Sequence, residues 1–176
     1  MRAAWLLGAA LLASCATTGG SAAARPASGL PDFELDTVDG QRVRLSDTVG
    51  TGVVVLAFWA TWCEPCKAEL PQLEQIAQRH QAQGLKIIGI AMDDATTVAQ
   101  VAPFVRRSHF SFPVLLDTAG VAANRYNSNK SAPFTVVIDR AGTIAQERSG
   151  YEPGEEVALE QKLVELLGAG APTVSP

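Results

Sequence analysis

Hydrophobic residues follow two different patterns along the central part of the chain. Gly52–Trp59 and Leu85–Met92 are apolar at almost every position, whereas the segment between them, from about Cys63 to Gln81, is mixed and ends before Gly84. Runs that are apolar on both faces are typical of central strands covered by helices on each side. A strand, a helix and a second strand at this spacing predict a right-handed βαβ unit with parallel strands.

Shorter segments on both sides of this unit predict further elements. The turn signal Asp39-Gly40 separates two short alternating segments and so predicts an N-terminal hairpin. Apolar residues at helical spacing predict a helix over about residues 96–107, which Pro103 disturbs. The other predicted strands and helix are Pro31–Leu35, Arg42–Leu45, Val114–Leu116, Phe134–Asp139, Thr143–Arg148 and, as a helix, Glu155–Leu167. Together they predict an α/β fold with a mixed sheet between helices.

The first fifteen residues have the features of a bacterial secretion signal. Arg2 precedes the eleven small or apolar residues Ala3–Ala13. As a helix this run would span about 17 Å, which is short of the roughly 30 Å needed to cross a bilayer. The residues Leu12–Cys15 resemble the bacterial lipobox, which implies that Cys15 is lipidated once residues 1–14 are removed. An ordinary signal peptide with an incidental cysteine is the alternative.

The chain then divides into three further segments. Residues 15–29 are rich in Ala, Gly, Ser and Thr, so we expect a flexible tether behind the lipidated cysteine. Residues 30–168 form the single predicted domain, and residues 169–176 are expected to be a disordered tail. The lipobox thus implies an extracytoplasmic protein on the periplasmic side of a bacterial cell, anchored to the inner or the outer membrane.

Composition and charge exclude several classes of protein. The chain has 176 residues with 15 glycines and 10 prolines, which excludes collagen-like and low-complexity sequences. Its formal net charge of −4 gives no electrostatic basis for binding nucleic acid. Three cysteines are too few for a small disulfide-rich scaffold, and their odd number leaves at least one outside an intramolecular pair.

Two of the cysteines lie where the first central strand meets the following helix, in the segment Trp62-Cys63-Glu64-Pro65-Cys66. A helix N-terminus stabilises a thiolate, because its free N–H groups carry partial positive charge. Cys63 is therefore expected to be an exposed nucleophile, with Cys66 one turn further on the same side. Pro65 falls in the first turn, where its missing N–H has no cost.

Structural alternatives exist for this motif and for other polar clusters. Half of a zinc site would need two more ligands, but His80 and His109 lie 29 positions apart, so no metal is expected. A static disulfide also remains open. Asp93 and Asp94 follow the second central strand and are expected to cap the next helix.

The segment from Phe58 to Pro71, FWATWCEPCKAELP, strongly resembles the TlpA/ResA family of extracytoplasmic thiol–disulfide oxidoreductases. The resemblance extends from about Leu30 to Leu167. It implies a thioredoxin-like three-layer α/β/α fold with a mixed central sheet, an extra N-terminal β-hairpin and an inserted helix.

The same resemblance implies roles for individual residues. Cys63 matches the nucleophile and Cys66 the resolving thiol of a redox-active disulfide. Glu69 matches a family glutamate that tunes the cysteines and assists proton transfer, although a surface carboxylate on the helix is the alternative. Pro133 matches the cis-proline that faces the cysteines, and the backbone of Ala132 would pair with an extended substrate segment.

Neighbouring positions complete the expected active-site environment. Trp62 is expected to shield the cysteines, and Glu64 and Pro65 lie between them. Cytoplasmic thioredoxins carry a buried aspartate six positions before the first cysteine, where this chain has Ala57. That departure places more of the proton transfer on Glu69.

These features predict an enzyme that reduces protein disulfides and needs no cofactor. Glu64 is acidic and opposes a thiolate at Cys63, which favours a reductant over an oxidant. The family resemblance implies protein thiol or disulfide substrates, a membrane electron donor for recycling, and a role in cytochrome c maturation. We expect a monomer that is attached to the membrane through the lipid anchor at Cys15.

Two other functions are weighed against this one. Peroxiredoxins share the fold but place a threonine three residues before their peroxidatic cysteine, where this chain has Ala60. A non-enzymatic chaperone could deliver a metal or haem through the cysteine pair. Peroxide consumption would indicate the first alternative, and metal in the reduced purified protein would indicate the second.

Overall fold

The structure is a computed structural model that describes residues 29–169 of the chain. The strands are β1 (Glu34–Asp36), β2 (Arg42–Arg44), β3 (Val53–Trp59), β4 (Leu85–Ala91), β5 (Val114–Leu116), β6 (Phe134–Ile138) and β7 (Ile144–Ser149). The helices are α1 (Glu64–His80), α2 (Val101–Ser108), α3 (Ala123–Tyr126) and α4 (Glu155–Gly168). The predicted signal peptide, Cys15, nearly all of the tether and the tail after Ala169 lie outside the described residues.

Five of the strands form one mixed sheet in the order β5-β4-β3-β6-β7. β3 pairs in parallel with β4 and antiparallel with β6, and every residue of β3 is buried. Burial on both faces explains why the sequence of β3 is almost continuously apolar. The predicted βαβ unit of β3, α1 and β4 is therefore confirmed, and so is the mixed sheet.

Alternate residues of β3 enter two hydrophobic cores, one on each face of the sheet, as the two-residue period of a strand requires. On one face, Val55 and Trp59 join a core that includes residues of α1 and α4. On the other face, Leu56 and Phe58 join a core completed by the N-terminal segment and α3. The sheet thus lies between two covering layers, as the predicted thioredoxin-like fold requires.

The two additions that the family resemblance implies are both present. β1 and β2 form an antiparallel hairpin that lies outside the main sheet. The inserted segment begins with a 3-10 turn at Val98–Gln100 and continues as α2. Pro103 is the third residue of α2, and the first turn of a helix tolerates proline because its N–H groups have no partner within the helix.

α3 was not predicted, because its four residues fall in a polar stretch too short to show helical periodicity. The buried carboxylate of Asp117 holds its start by accepting hydrogen bonds from the backbone N–H groups of Ala122 and Ala123 at 3.2 and 2.8 Å. Within residues 29–169, no helix is long and apolar enough to cross a membrane.

Candidate active site

The two cysteines lie at the point where β3 leads into α1. A backbone hydrogen bond from Cys63 N to Ala60 O, 3.1 Å long, closes a turn that reverses the chain into the helix. Cys63 is the N-cap of α1, and its sulfur accepts a hydrogen bond from Cys66 N at 3.2 Å. The two sulfur atoms are bonded at 2.03 Å, with 5.3 Å between the Cα atoms. The spacing of the motif therefore places both sulfurs at the positive end of the helix.

The prediction that Cys63 is exposed is wrong for the disulfide-bonded form of the protein. Cys63 is 4% exposed and Cys66 is fully buried, because both side chains join the core on the α1 side of the sheet. Trp62, which immediately precedes the pair, is 59% exposed. Only a small part of Cys63 therefore reaches solvent, whereas the neighbouring Trp62 is largely exposed.

The loop before β6 contains a cis peptide bond between Ala132 and Pro133. Pro133 is buried, and its carbonyl oxygen accepts a hydrogen bond from Gly150 N at 2.8 Å, which ties the loop to the end of β7. Ala132 packs against the same hydrophobic core that contains both cysteines. The structure thus brings the predicted proline loop to the cysteine side of the sheet.

Glu69 lies on α1 one turn after Cys66 and is only 3% exposed. Its carboxylate accepts hydrogen bonds from Arg148 Nη2 at 2.6 Å and from Thr135 Oγ1 at 3.3 Å. The alternative of a surface carboxylate is therefore wrong. In the β3–β6 ladder, Thr135 is the direct partner of Ala57, the position at which cytoplasmic thioredoxins carry their buried aspartate.

Burial raises the pKa of Glu69 above its ordinary value, because the charged form loses contact with water. The positive charge of Arg148 and the hydrogen bonds from Arg148 and Thr135 lower that pKa, but burial outweighs them. Glu155 adds a smaller upward contribution through its negative charge. A carboxyl group with a raised pKa exchanges its proton closer to neutral pH than an exposed glutamate does.

No pattern in the sequence indicates Arg148 as a site residue. It lies in β7, 79 residues from Glu69, in a strand of mixed polarity with no motif around it. Its guanidinium also lies 3.6 Å from a carboxylate oxygen of Glu155 and 5.8 Å from the centre of the Tyr151 ring. The ion pair depends on the pairing of β6 with β7, which no local pattern reveals.

The remaining predicted site residues lie at the first turn of α1. Glu64 is exposed and forms a 2.8 Å ion pair with Lys67, and Pro65 occupies the first turn as expected. Trp62 borders a cleft of about 310 Å³ that Met92 and Lys130 also line. Neither cysteine lines this cleft, so Trp62 is the residue that connects it with the cysteine motif.

The prediction that Asp93 and Asp94 both cap the element after β4 is right only for Asp94. Asp94 caps the turn that follows, since its Oδ1 accepts hydrogen bonds from Thr96 N and Thr97 N at 2.8 and 3.2 Å. Asp93 does not cap that turn: it is fully buried and instead contacts Thr61. Among residues 29–169, no group of three or more His, Cys, Asp or Glu side chains is placed to hold a metal ion.

Comparison with protein-family models finds a match to the AhpC/TSA family over residues 26–147. The Thioredoxin-like protein YneN of Bacillus subtilis is 37% identical over 134 residues, which cover 76% of this chain and 75% of that protein. The Thiol-disulfide oxidoreductase ResA of Bacillus thuringiensis subsp. konkukian is 32% identical over 136 residues, which cover 77% of this chain and 75% of that protein.

Solved structures of thioredoxin-like proteins are also similar to this chain. A crystal structure of a putative Thiol:disulfide interchange protein DsbE from Chlorobium tepidum superimposes with a TM-score of 0.72 at 33% identity, covering 78% of this chain and 94% of that one. The pneumococcal exposed lipoprotein thioredoxin of Streptococcus pneumoniae gives a TM-score of 0.66 at 31% identity, covering 77% of this chain and all of that one.

Proposed function

Because this chain belongs to the AhpC/TSA family, as a ResA- and DsbE-like thiol–disulfide oxidoreductase with a thioredoxin fold, we propose that it reduces disulfides in extracytoplasmic proteins. The observation that carries the proposal is the Cys63–Cys66 disulfide at the N-terminus of α1, on the same side of the sheet as the cis-proline loop. Its membership of the family establishes thiol–disulfide exchange; the direction of exchange, the roles of the residues and the location are our proposals.

The proposed reaction transfers two electrons from the reduced cysteine pair to the substrate disulfide. The Cys63 thiolate attacks one substrate sulfur, so a mixed disulfide forms and the second substrate sulfur leaves as a thiolate that takes up a proton. Cys66 then loses its proton and attacks the Cys63 sulfur. This step closes the Cys63–Cys66 disulfide and releases the first substrate sulfur as a second thiol. A membrane electron donor must supply two electrons to start the next cycle.

The position of each sulfur supports this division of roles. The sulfur of Cys63 accepts a hydrogen bond from Cys66 N and lies at the positive end of the helix dipole. Both interactions stabilise a thiolate. Cys66 is fully buried and therefore cannot meet a protein substrate directly. We assign Cys63 as the nucleophile and Cys66 as the resolving thiol.

We assign Glu69 to proton transfer during the resolving step. It lies three residues after Cys66 on the same helix, and residues at this spacing share a helical face. Its raised pKa brings the carboxylate closer to the pKa of a thiol, and a base works best when these values approach one another. The side chain of Ala57 cannot accept a proton. We therefore assign acceptance of the Cys66 proton to Glu69.

We assign substrate binding to the cis-proline loop and to the cleft bordered by Trp62. The backbone of Ala132, before the cis bond, would pair with an extended segment of the substrate. The exposed ring of Trp62 would cover apolar side chains beside the substrate disulfide. Binding through backbone and apolar contacts suits an enzyme with several unrelated protein substrates.

Glu64 supports the direction of electron flow. An oxidant of this class stabilises its reduced thiolate, whereas an acidic residue between the cysteines makes that thiolate less stable. Lys67 neutralises part of the Glu64 charge through an exposed ion pair, which is a weak interaction in water. The reduced form is thus the better electron donor.

The reduction potential of the Cys63–Cys66 couple tests the direction. We expect a value well below about −200 mV, measured by equilibration with glutathione or dithiothreitol buffers of known potential. Glu64→Gln should raise the potential, because it removes the negative charge next to Cys63. A wild-type value near −120 mV would instead identify an oxidant.

We further propose that Cys15 is lipidated and that the domain acts on the periplasmic side of a bacterial inner or outer membrane. The pneumococcal relative is an exposed lipoprotein, and a relative from Mycobacterium tuberculosis is a secreted disulfide oxidoreductase. In this compartment oxidation is the default, so a reductant serves thiols that must stay free, such as those of apocytochrome c before haem attachment.

A further inference from the structure

A buried carboxylate that the proposed reaction does not use lies next to the cysteine loop. Asp93 is fully buried at the end of β4, and both of its oxygens accept hydrogen bonds from one residue, Thr61. Thr61 N donates to Oδ2 at 2.9 Å, and Thr61 Oγ1 donates to Oδ1. Within the described part of the chain, Asp93 forms no salt bridge, so these two bonds are what compensate its burial.

Thr61 is the second residue of the turn that delivers Cys63 to α1. The turn begins at Ala60 and is closed by the bond from Cys63 N to Ala60 O. Its β3 end is fixed to β4 by the bond from Met92 N to Trp59 O, 2.8 Å long. The two bonds from Thr61 to Asp93 fix the middle of the same turn, so the turn is held from both sides.

We infer that Asp93 is a positioning residue for the nucleophile: it holds Thr61 so that the turn places Cys63 at the N-cap of α1. This inference rests on the proposed role of Cys63. At the N-cap, the Cys63 sulfur accepts a hydrogen bond from Cys66 N and lies at the positive end of the helix dipole. A turn released from Asp93 can shift its last residue away from this position, and the thiolate then loses both interactions.

The substitution that isolates this effect is Thr61→Val. It removes the hydroxyl bond to Asp93, keeps the size of the side chain and changes no charge near Cys63. Thr61→Ser keeps both donors and is the rescue variant. Thr96→Val is the matched control, because it also removes a threonine hydroxyl bond to an aspartate, Asp94, on an exposed turn nearby.

The readout is the rate at which Cys63 in the reduced full-length protein reacts with iodoacetamide, followed by peptide mass spectrometry as a function of pH. We expect Thr61→Val to slow this reaction at pH 7 by roughly three- to tenfold and to move its pH profile upward. Thr61→Ser and Thr96→Val should react at the wild-type rate. Thr61→Ala serves as a second variant if Thr61→Val does not fold.

Equal rates and pH profiles for Thr61→Val, Thr61→Ala and the wild type would overturn the inference and leave Asp93 with a purely structural role. A lower melting temperature with an unchanged profile would have the same meaning. The proposed function fails separately: it is contradicted if the reduced wild-type protein reduces no disulfide of a protein substrate, whatever the alkylation rates of the variants. The two failures are therefore distinguishable.

Discussion

Cys63→Ser should lower the rate of protein-disulfide reduction by at least about 1,000-fold, because a serine hydroxyl cannot replace the thiolate that forms the mixed disulfide. The loss should appear in turnover and in a single reaction cycle alike, since the first step is missing. A dithiothreitol-coupled assay with a disulfide-bonded protein substrate measures both.

Cys66→Ser is the control for this loss, because it removes the other half of the pair and keeps the nucleophile. It should also stop turnover, but Cys63 should still react once with a substrate disulfide. Neither variant should change the fold greatly, since serine is close to cysteine in size. More than a tenth of the wild-type turnover in Cys63→Ser would assign the first step to another group.

Glu69→Gln should slow the reaction by roughly 100-fold, because the amide keeps the shape of the side chain but cannot accept the proton of Cys66. The loss should fall on the resolving step. Stopped-flow measurement under single-turnover conditions separates release of the reduced substrate from formation of the mixed disulfide, and formation should stay near the wild-type rate.

The pH dependence tests the same role. Because Glu69 works as a carboxylate, wild-type activity should rise with pH through its pKa, which burial places above that of an exposed glutamate. Arg148→Met removes the positive charge that lowers this pKa, so the rise should move to higher pH by roughly one unit or more. In Glu69→Gln the resolving step should lose the rise at the pKa of Glu69, and only the rise that follows ionisation of the cysteines should remain.

Arg79→Met is a matched control for Arg148→Met. Arg79 also forms an ion pair with a glutamate, Glu160, at 2.8 Å, but this pair lies at the other end of α1 and is exposed. Its removal should leave the pH profile unchanged. If Glu69→Gln keeps the wild-type profile, the proton moves by a route that does not involve this carboxylate.

The elements that carry the cysteines could be predicted because their signals are local. The apolar run of β3, the mixed pattern of α1 and the apolar run of β4 each lie within one window of sequence. The placement of Cys63 at a helix N-terminus followed directly from that order. The cis bond before Pro133 came from the family resemblance, since the sequence around a proline does not by itself fix its isomer.

The parts that escaped prediction depend on contacts between distant segments. Arg148 reaches Glu69 only after β7 pairs with β6, and Asp93 reaches Thr61 only after β4 pairs with β3. A pair of aspartates after a strand has the same local appearance whether it caps a helix or enters the core. Burial of Cys63 was missed for a similar reason, because the core around it is assembled from several elements.

Trapping of mixed disulfides by Cys66→Ser tests most directly whether Cys63 attacks protein disulfides. The variant is expressed in its full-length form in a bacterial host, free thiols are alkylated in acid, and complexes are separated without reductant and identified by mass spectrometry. We expect Cys63-linked complexes with secreted proteins, absent from the Cys63→Ser and double variants and released by dithiothreitol. If no such complex forms, although the variant is folded and its Cys63 thiol is free, this protein does not reduce protein disulfides through Cys63.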